Sequence, residues 1–181
     1  MVRAMNYLMQ QAGMSSTAAA GVVGVFMAES GLEPGKYNES ERELYGELGG
    51  GRGLAQWTNV GKKNGTGRRR DAYEAFLNGR TPTLELDLDF FLEEVQSRPK
   101  VLAVLNNPNS TIEDTVDAMH RGYENGTSKA FATPKQMGYR YTEAWANNPY
   151  ITRKYDFNES AQERLRLAQQ AYKAYKAYNA N

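Results

Sequence analysis

The chain has 181 residues, 22 Lys+Arg against 21 Asp+Glu for a formal charge of +1, no cysteine and one histidine. That length suits one well-cored domain, and the balanced charge supplies no basic field of the kind that draws nucleic acid. Disulfides and thiol chemistry are excluded, a His-rich zinc centre is disfavoured, and neither Gly-x-Ser-x-Gly nor Gly-x4-Gly-Lys-Ser/Thr occurs.

What remains is carboxylate chemistry, with no metal and no cofactor expected. No apolar run reaches 18 residues, and no basic segment precedes a long apolar core. The expectation is a chain made in the cytoplasm without a signal peptide and without membrane insertion. Met1 to Leu8 reads as a short helix. Ser15, Ser16 and Thr17 are N-cap candidates for a proline-free helix running to Ser30, with Gly31 in the left-handed position beyond it and Pro34 blocking continuation. Ala18, Val22, Val25 and Glu29 recur at i, i+4, i+7 and i+11, so a carboxylate closes an apolar stripe, with Phe26 beside it. Apolar surroundings and the negative end of the helix dipole both favour a protonated carboxyl, as a general acid requires. An exposed last-turn glutamate reaching water is the plainer alternative.

A polar, glycine-bearing segment from Gly35 to Gly53 follows, in which Tyr37, Leu44, Tyr45 and Leu48 suit a small hairpin or irregular lobe. Asn59 to Gly67 is a loop. Arg68-Arg69-Arg70 forms a local basic patch at the start of a helix with Tyr73, Phe76 and Leu77 inward and Gly79 as its stop. Leu84, Leu88, Phe91, Leu92 and Val95 define the next helical face, ending before Pro99. A short apolar piece, Val101 to Leu105, leads to a capping box at Ser110 and Glu113. It opens a helix with Ile112, Val116, Met119 and Tyr123 on one face and Gly126 as its stop. Thr133-Pro134 opens another helix, with Met137, Tyr141, Ala144 and Trp145 inward. From Asn158 the tail reads as a final helix whose Tyr172, Tyr175 and Tyr178 form a packing stripe. The expected division is a main domain over 1–157 and a C-terminal helix over 158–181 that packs on it or on a partner.

Glu29-Ser30-Gly31-Leu32 followed by Gly53-Leu54-Ala55-Gln56-Trp57 resembles the first two motifs of phage tail-associated lysozymes. More distantly it is similar to motifs of goose-type lysozymes and soluble lytic transglycosylases. The Arg-Arg pair, Leu88-Asp89-Phe90-Phe91-Leu92-Glu93-Glu94 and Arg121-Gly122-Tyr123-Glu124-Asn125 continue the match in order, from roughly Thr17 to Trp145. The resemblance implies a mainly α, lysozyme-like fold in which a helical lobe and a small hairpin or irregular lobe flank a cleft for the glycan strand of peptidoglycan. It also implies that Glu29 is the general acid for the β-1,4 bond after N-acetylmuramic acid, that Gln56 lines the cleft, and that Tyr123 is the third-motif tyrosine.

Each of these residues has a plainer reading. Gln56 could only cap a turn; Trp57 could stack on a sugar or belong to the core; Tyr123 continues a packing stripe; Glu124 reads as a solvated surface charge. A paired-carboxylate mechanism needs a second Asp or Glu about 5–5.5 Å from the acid for retention, or about 6.5–9.5 Å for inversion. Glu39, Glu41, Glu43 and Glu47 lie between the motifs, and the sequence does not choose among them. A lytic transglycosylase needs only Glu29. With no recognisable wall-binding domain and a short helical tail, the expectation is a virion component with phage tail proteins as partners, acting in the cell wall; a free endolysin is the alternative. An inactive lysozyme-like module that only docks on peptidoglycan is the competing class. A nucleic-acid-binding domain would rest on the arginine run alone.

Overall fold

The computed structural model describes residues 1–39, 50–59, 69–124 and 159–180. Among these the chain is mainly helical, with a small non-helical lobe, as a lysozyme-like fold requires. The helices are α1 (Val2–Ala12), α2 (Ser16–Ser30), α3 (Arg69–Leu77), α4 (Leu84–Val95), α5 (Pro99–Leu105), α6 (Ile112–Ala118) and α7 (Glu159–Tyr178). α6 continues directly into a π-helical turn, Met119–Tyr123. The expected helix from Thr133 to Trp145, the stop at Gly126, and Leu44, Tyr45 and Leu48 lie outside the described residues, as does the loop from residue 60 to Gly67. No helix among the described residues is long and apolar enough to cross a membrane.

α2 is the centre of the molecule. Ser15 caps it, accepting a hydrogen bond from the Ala18 N–H at 3.2 Å, and Gly31 ends it in the left-handed conformation (φ 69°). Every residue from Ala18 to Phe26 is buried, on all faces, because α1, α5, α6, the π-turn and α7 pack around it. The stripe ending at Glu29 is therefore part of a helix covered all round, where a 3.6-residue period cannot single out one inward face.

Small residues let the partners come close. A Cβ on Gly21 would lie 2.5 Å from the Thr115 side chain of α6, and one on Gly24 only 2.4 Å from the Ala168 backbone nitrogen of α7. α7 is thus seated on α2 as an integral layer, burying Ala161, Ala168 and Ala171, with Tyr172 and Tyr175 packed at the core's edge and Tyr178 exposed.

Two local expectations shift. Val101 to Leu105 belongs to a helix, α5, that Pro99 starts from its first turn. The capping box of α6 is Thr111 with Asp114, one residue beyond Ser110 and Glu113. Thr111 Oγ1 accepts from the Asp114 N–H at 3.0 Å and Asp114 Oδ2 accepts from the Thr111 N–H at 3.0 Å. Ser110 instead donates to the Val104 carbonyl at 2.7 Å, closing α5.

The α2–α7 contact generates a test. In Gly24→Ala the methyl meets helix backbone, so α7 must move away. The overpacking cost of about 1–3 kcal/mol exceeds the roughly 0.5–1 kcal/mol that alanine gains in helix propensity. Thermal unfolding should show a melting temperature lower by roughly 2–8 °C.

Candidate active site

Glu29 ends α2 with its side chain 23% exposed, while its neighbour Ser30 turns inward and donates to the Phe26 carbonyl at 3.0 Å. Two groups from other parts of the chain meet it, and a third stands behind them. Arg164 of α7 donates through Nη2 to Glu29 Oε1, and through Nε to Glu124 Oε2 at 3.2 Å. Glu124, the residue after the π-turn, shares that guanidinium with Glu29, and its charge acts on Glu29. His120 lies behind it, with Nδ1 3.1 Å from Glu124 Oε2.

Burial is the largest influence on Glu29 and the Glu124 charge the next; together they outweigh Arg164 and push the Glu29 carboxyl from 4.5 up to about 7. Glu124 is raised as well, chiefly by burial. Burial and the Arg164 charge hold His120 down at about 4, so its imidazole is neutral at pH 7. Two carboxyl groups held by one guanidinium, one raised by the other's charge, titrate as a pair. The reading of Glu124 as a solvated surface charge is corrected: its side chain is 11% exposed and packed among charged and polar partners.

The second motif folds as a closed loop. Arg52 and Trp57 exchange backbone hydrogen bonds at 3.0 and 2.8 Å, and the Gly53 N–H donates to the Lys36 carbonyl at 2.9 Å. Gln56 holds a left-handed conformation (φ 49°), uncommon for a residue with a side chain, and its Nε2 donates to the carbonyls of Gly53 (3.0 Å) and Lys36 (3.3 Å). Lys36 Nζ in turn donates to the Ser30 carbonyl at 3.1 Å, which ties this loop to the end of α2 beside Glu29. Gln56 does cap a turn here, and it remains half-buried.

Trp57 and Tyr123 have no exposed surface and sit in the core. Trp57 stacks on Tyr73 with ring centres 4.6 Å apart and meets Phe90 edge-on at 4.8 Å. Its Nε1 donates to Glu94 Oε2 at 2.9 Å and lies 3.0 Å from the Tyr123 hydroxyl, which itself donates to Glu94 Oε2 at 2.5 Å. Arg69 clamps the same carboxylate in a bidentate pair at 2.5 and 2.7 Å, with its guanidinium 4.7 Å over the Tyr123 ring. These bonds hold Glu94 ionised, below its ordinary value.

The arginine run is not a surface patch either. Arg69 is spent on Glu94, and Arg70 is buried, donating to the Gly50 carbonyl at 3.2 Å. Arg68 lies outside the described residues, as do Glu41, Glu43 and Glu47; Glu39 is exposed. No group of three or more His, Asp or Glu suited to a metal ion occurs among the described residues.

The family profile of the phage tail lysozymes matches residues 1–175. The chain belongs to the phage tail lysozyme family. Membership brings a lysozyme-like, peptidoglycan-degrading function in general terms. No match was found among curated proteins or among solved structures.

Sequence reasoning missed Arg164 and Glu94. Arg164 flanks the spacing Ala161, Leu165, Ala168, Tyr172, an apolar stripe at i, i+4, i+7 and i+11, and a charge beside such a stripe was the available signal. Glu94 closes the Leu88–Glu94 segment of the resemblance, where only its partners reveal what it does.

Two outcomes follow for this lysozyme. Glu94→Gln leaves Arg69 buried without its counter-charge, which should cost about 3 kcal/mol and lower the melting temperature by roughly 6–12 °C. Glu29 behaves oppositely. Because its folded-state value is raised, its protonated form favours the fold below about pH 4.5, and that advantage is lost as pH rises through about 7. Glu29→Gln should therefore melt above wild type at pH 8, and the gap should close at pH 4.5.

Proposed function

We propose that this chain cleaves the β-1,4 bond between N-acetylmuramic acid and N-acetylglucosamine in peptidoglycan, with Glu29 as the general acid. The observation that carries this reading is a mostly buried carboxyl at the end of a buried helix, surrounded so that it keeps its proton to about pH 7. Such a group protonates the leaving glycosidic oxygen as the bond breaks, and the positive charge developing on the sugar favours the carboxylate left behind. Gln56, strained and fixed against Lys36 and Gly53, is assigned to the substrate-facing side of the small lobe. Trp57 and Tyr123 support the site from beneath through Glu94. Membership of the phage tail lysozyme family supports a role in the virion tail, acting on the cell wall.

A lytic transglycosylase is the second reading, and one observation favours it. Glu124, the carboxylate on the same guanidinium as Glu29, is nearly buried and engaged with Arg164 and His120. A nucleophile or an activator of water must instead face the sugar freely, about 5–5.5 Å or about 6.5–9.5 Å from the acid. A single acid/base then serves both halves of the reaction, with the substrate's own 6-hydroxyl attacking to leave a 1,6-anhydro end.

Digestion of purified peptidoglycan with product analysis by mass spectrometry decides between them: reducing ends for hydrolysis, anhydro-muramyl ends for transglycosylation. Glu29→Gln should release fragments about 10²–10⁴-fold more slowly while remaining folded, and undiminished release would remove Glu29 from the mechanism. Wild-type activity should fall as pH rises through about 7, because the acid is then unprotonated.

A further inference from the structure

Glu29, Glu124 and Arg164 form one electrostatic unit. Arg164 is permanently charged, so the unit is neutral when the two carboxyls share one proton and carries a net negative charge when they hold none. The guanidinium is held in a fixed orientation. Its Nη1 donates to the Ser160 carbonyl one turn back at 3.0 Å and to the Ser160 hydroxyl, leaving Nη2 for Glu29 and Nε for Glu124. The side chain is only 12% exposed.

The two carboxyls are not equivalent. Glu124 Oε2 accepts from Arg164 Nε and faces His120 Nδ1, which, in a neutral ring beside an ionised carboxylate, carries the hydrogen. Glu124 Oε1 is buried and has no donor among the described residues. A protonated Glu29 supplies that donor, and no other group is needed to satisfy the pair.

We propose that Arg164, delivered by α7, is a positioning residue that keeps Glu124 ionised and leaves the shared proton on Glu29, aimed for transfer. The C-terminal helix is thereby part of the active site. This rests on the reading of Glu29 as the acid. In the resting enzyme the Glu29 proton is donated to Glu124 Oε1. When substrate arrives, the O–H turns to the glycosidic oxygen, the proton moves there as the C–O bond breaks, and Arg164 Nη2 stabilises the carboxylate that forms on Glu29. Among the described residues, the charged and titratable groups at the pair are Glu29 from α2, His120 and Glu124 from the π-turn and its end, Arg164 from α7, and Arg69 from α3, whose charge reaches Glu124.

Two variants of the full-length protein shift the acid in opposite directions. Arg164→Gln removes the positive charge, so the alkaline limb of the pH–rate profile should move up by about one unit or more. Glu124→Gln removes the negative neighbour, so the same limb should move down by a similar amount. Substrate KM should change little in either, whereas kcat at pH 7 should fall, about tenfold or more in Arg164→Gln. A merely structural Arg164 would lower stability and leave both midpoints in place. Should Arg164→Gln fail to fold, Glu124→Gln decides alone, and an unmoved or upward-moving limb overturns the proposal. Glu29→Gln, run beside them, separates the two failures. If it is inactive while neither limb moves, the positioning proposal is wrong and the acid stands; if it is active, the acid assignment itself has failed.

Discussion

The buried carboxylate of Glu94 is the interaction that the rest of the structure depends on. Four donors converge on it from three segments far apart in sequence: Arg69 twice, Trp57 and Tyr123. An ionised carboxylate out of water is costly unless its lone pairs are filled, and here they are filled by a bidentate guanidinium, an indole N–H and a phenol. The arrangement fixes the second-motif loop to α4 and fixes α4 to the π-turn, so the loop and the acid pair share one rigid support. Asp87, about two helix turns upstream on α4, also gathers donors from other segments. Fully buried, it accepts from the Gly35 and Leu54 N–H groups at 3.1 and 3.0 Å and from the Tyr73 hydroxyl at 2.5 Å. The small lobe is thus pinned to α4 by two carboxylates rather than by a sheet; among the described residues only isolated bridges, Tyr37 with Arg52 and Arg52 with Trp57, link its strands of chain.

Two kinds of buried acid therefore occur a few residues apart in space and behave differently. Glu94 has more donors than it needs and stays charged. Glu29 has one cationic donor, one anionic neighbour and the end of a wholly buried helix behind it, and it keeps its proton to about pH 7. Burial is the largest influence on both, so the charged neighbours decide between them: a bidentate cation at Glu94, a cation opposed by an anion at Glu29.

Much of this was legible in the residues. The caps at Ser15 and Gly31, the helix over Leu84–Val95 and the anomaly of Glu29 all follow from local chemistry, in which the side chain itself supplies the missing backbone partner or accepts the unusual φ. What was not legible depends on contacts between distant segments. Trp57 reads as a sugar platform only until Tyr73 and Phe90 are seen to cover it, and Glu124 reads as solvated only until α7 brings Arg164 across 40 residues of chain. The arginines at Arg69 and Arg70 were misread for the same reason: charge in a sequence says nothing of which buried acceptor awaits it. α2 illustrates the limit of periodicity, which finds a face only when one face is wet.

The π-helical turn explains why Tyr123 and Glu124 can serve opposite ends of the site. In an α-helix the Glu124 N–H would bond the carbonyl four residues back; here it bonds that of Met119, five back, at 2.9 Å. One extra residue is accommodated in the turn, and the direction of the following side chains rotates accordingly. Gly122 makes room for this by passing close to Val101 of α5, where a Cβ would lie 2.5 Å from Cγ2, and Arg98 ties the turn down by donating to the Gly122 carbonyl at 2.7 Å. Tyr123 then points into the core against Phe26 and Phe91 and reaches Glu94, while the next residue points to Glu29. Adjacent side chains on a helix diverge by about 100°, so neighbouring residues can take opposite tasks only if the turn holds both directions at once. The widened turn, locked between α5 and the Glu94 carboxylate, does so: it couples the rigid support of the loop to the proton on the acid through a single peptide bond.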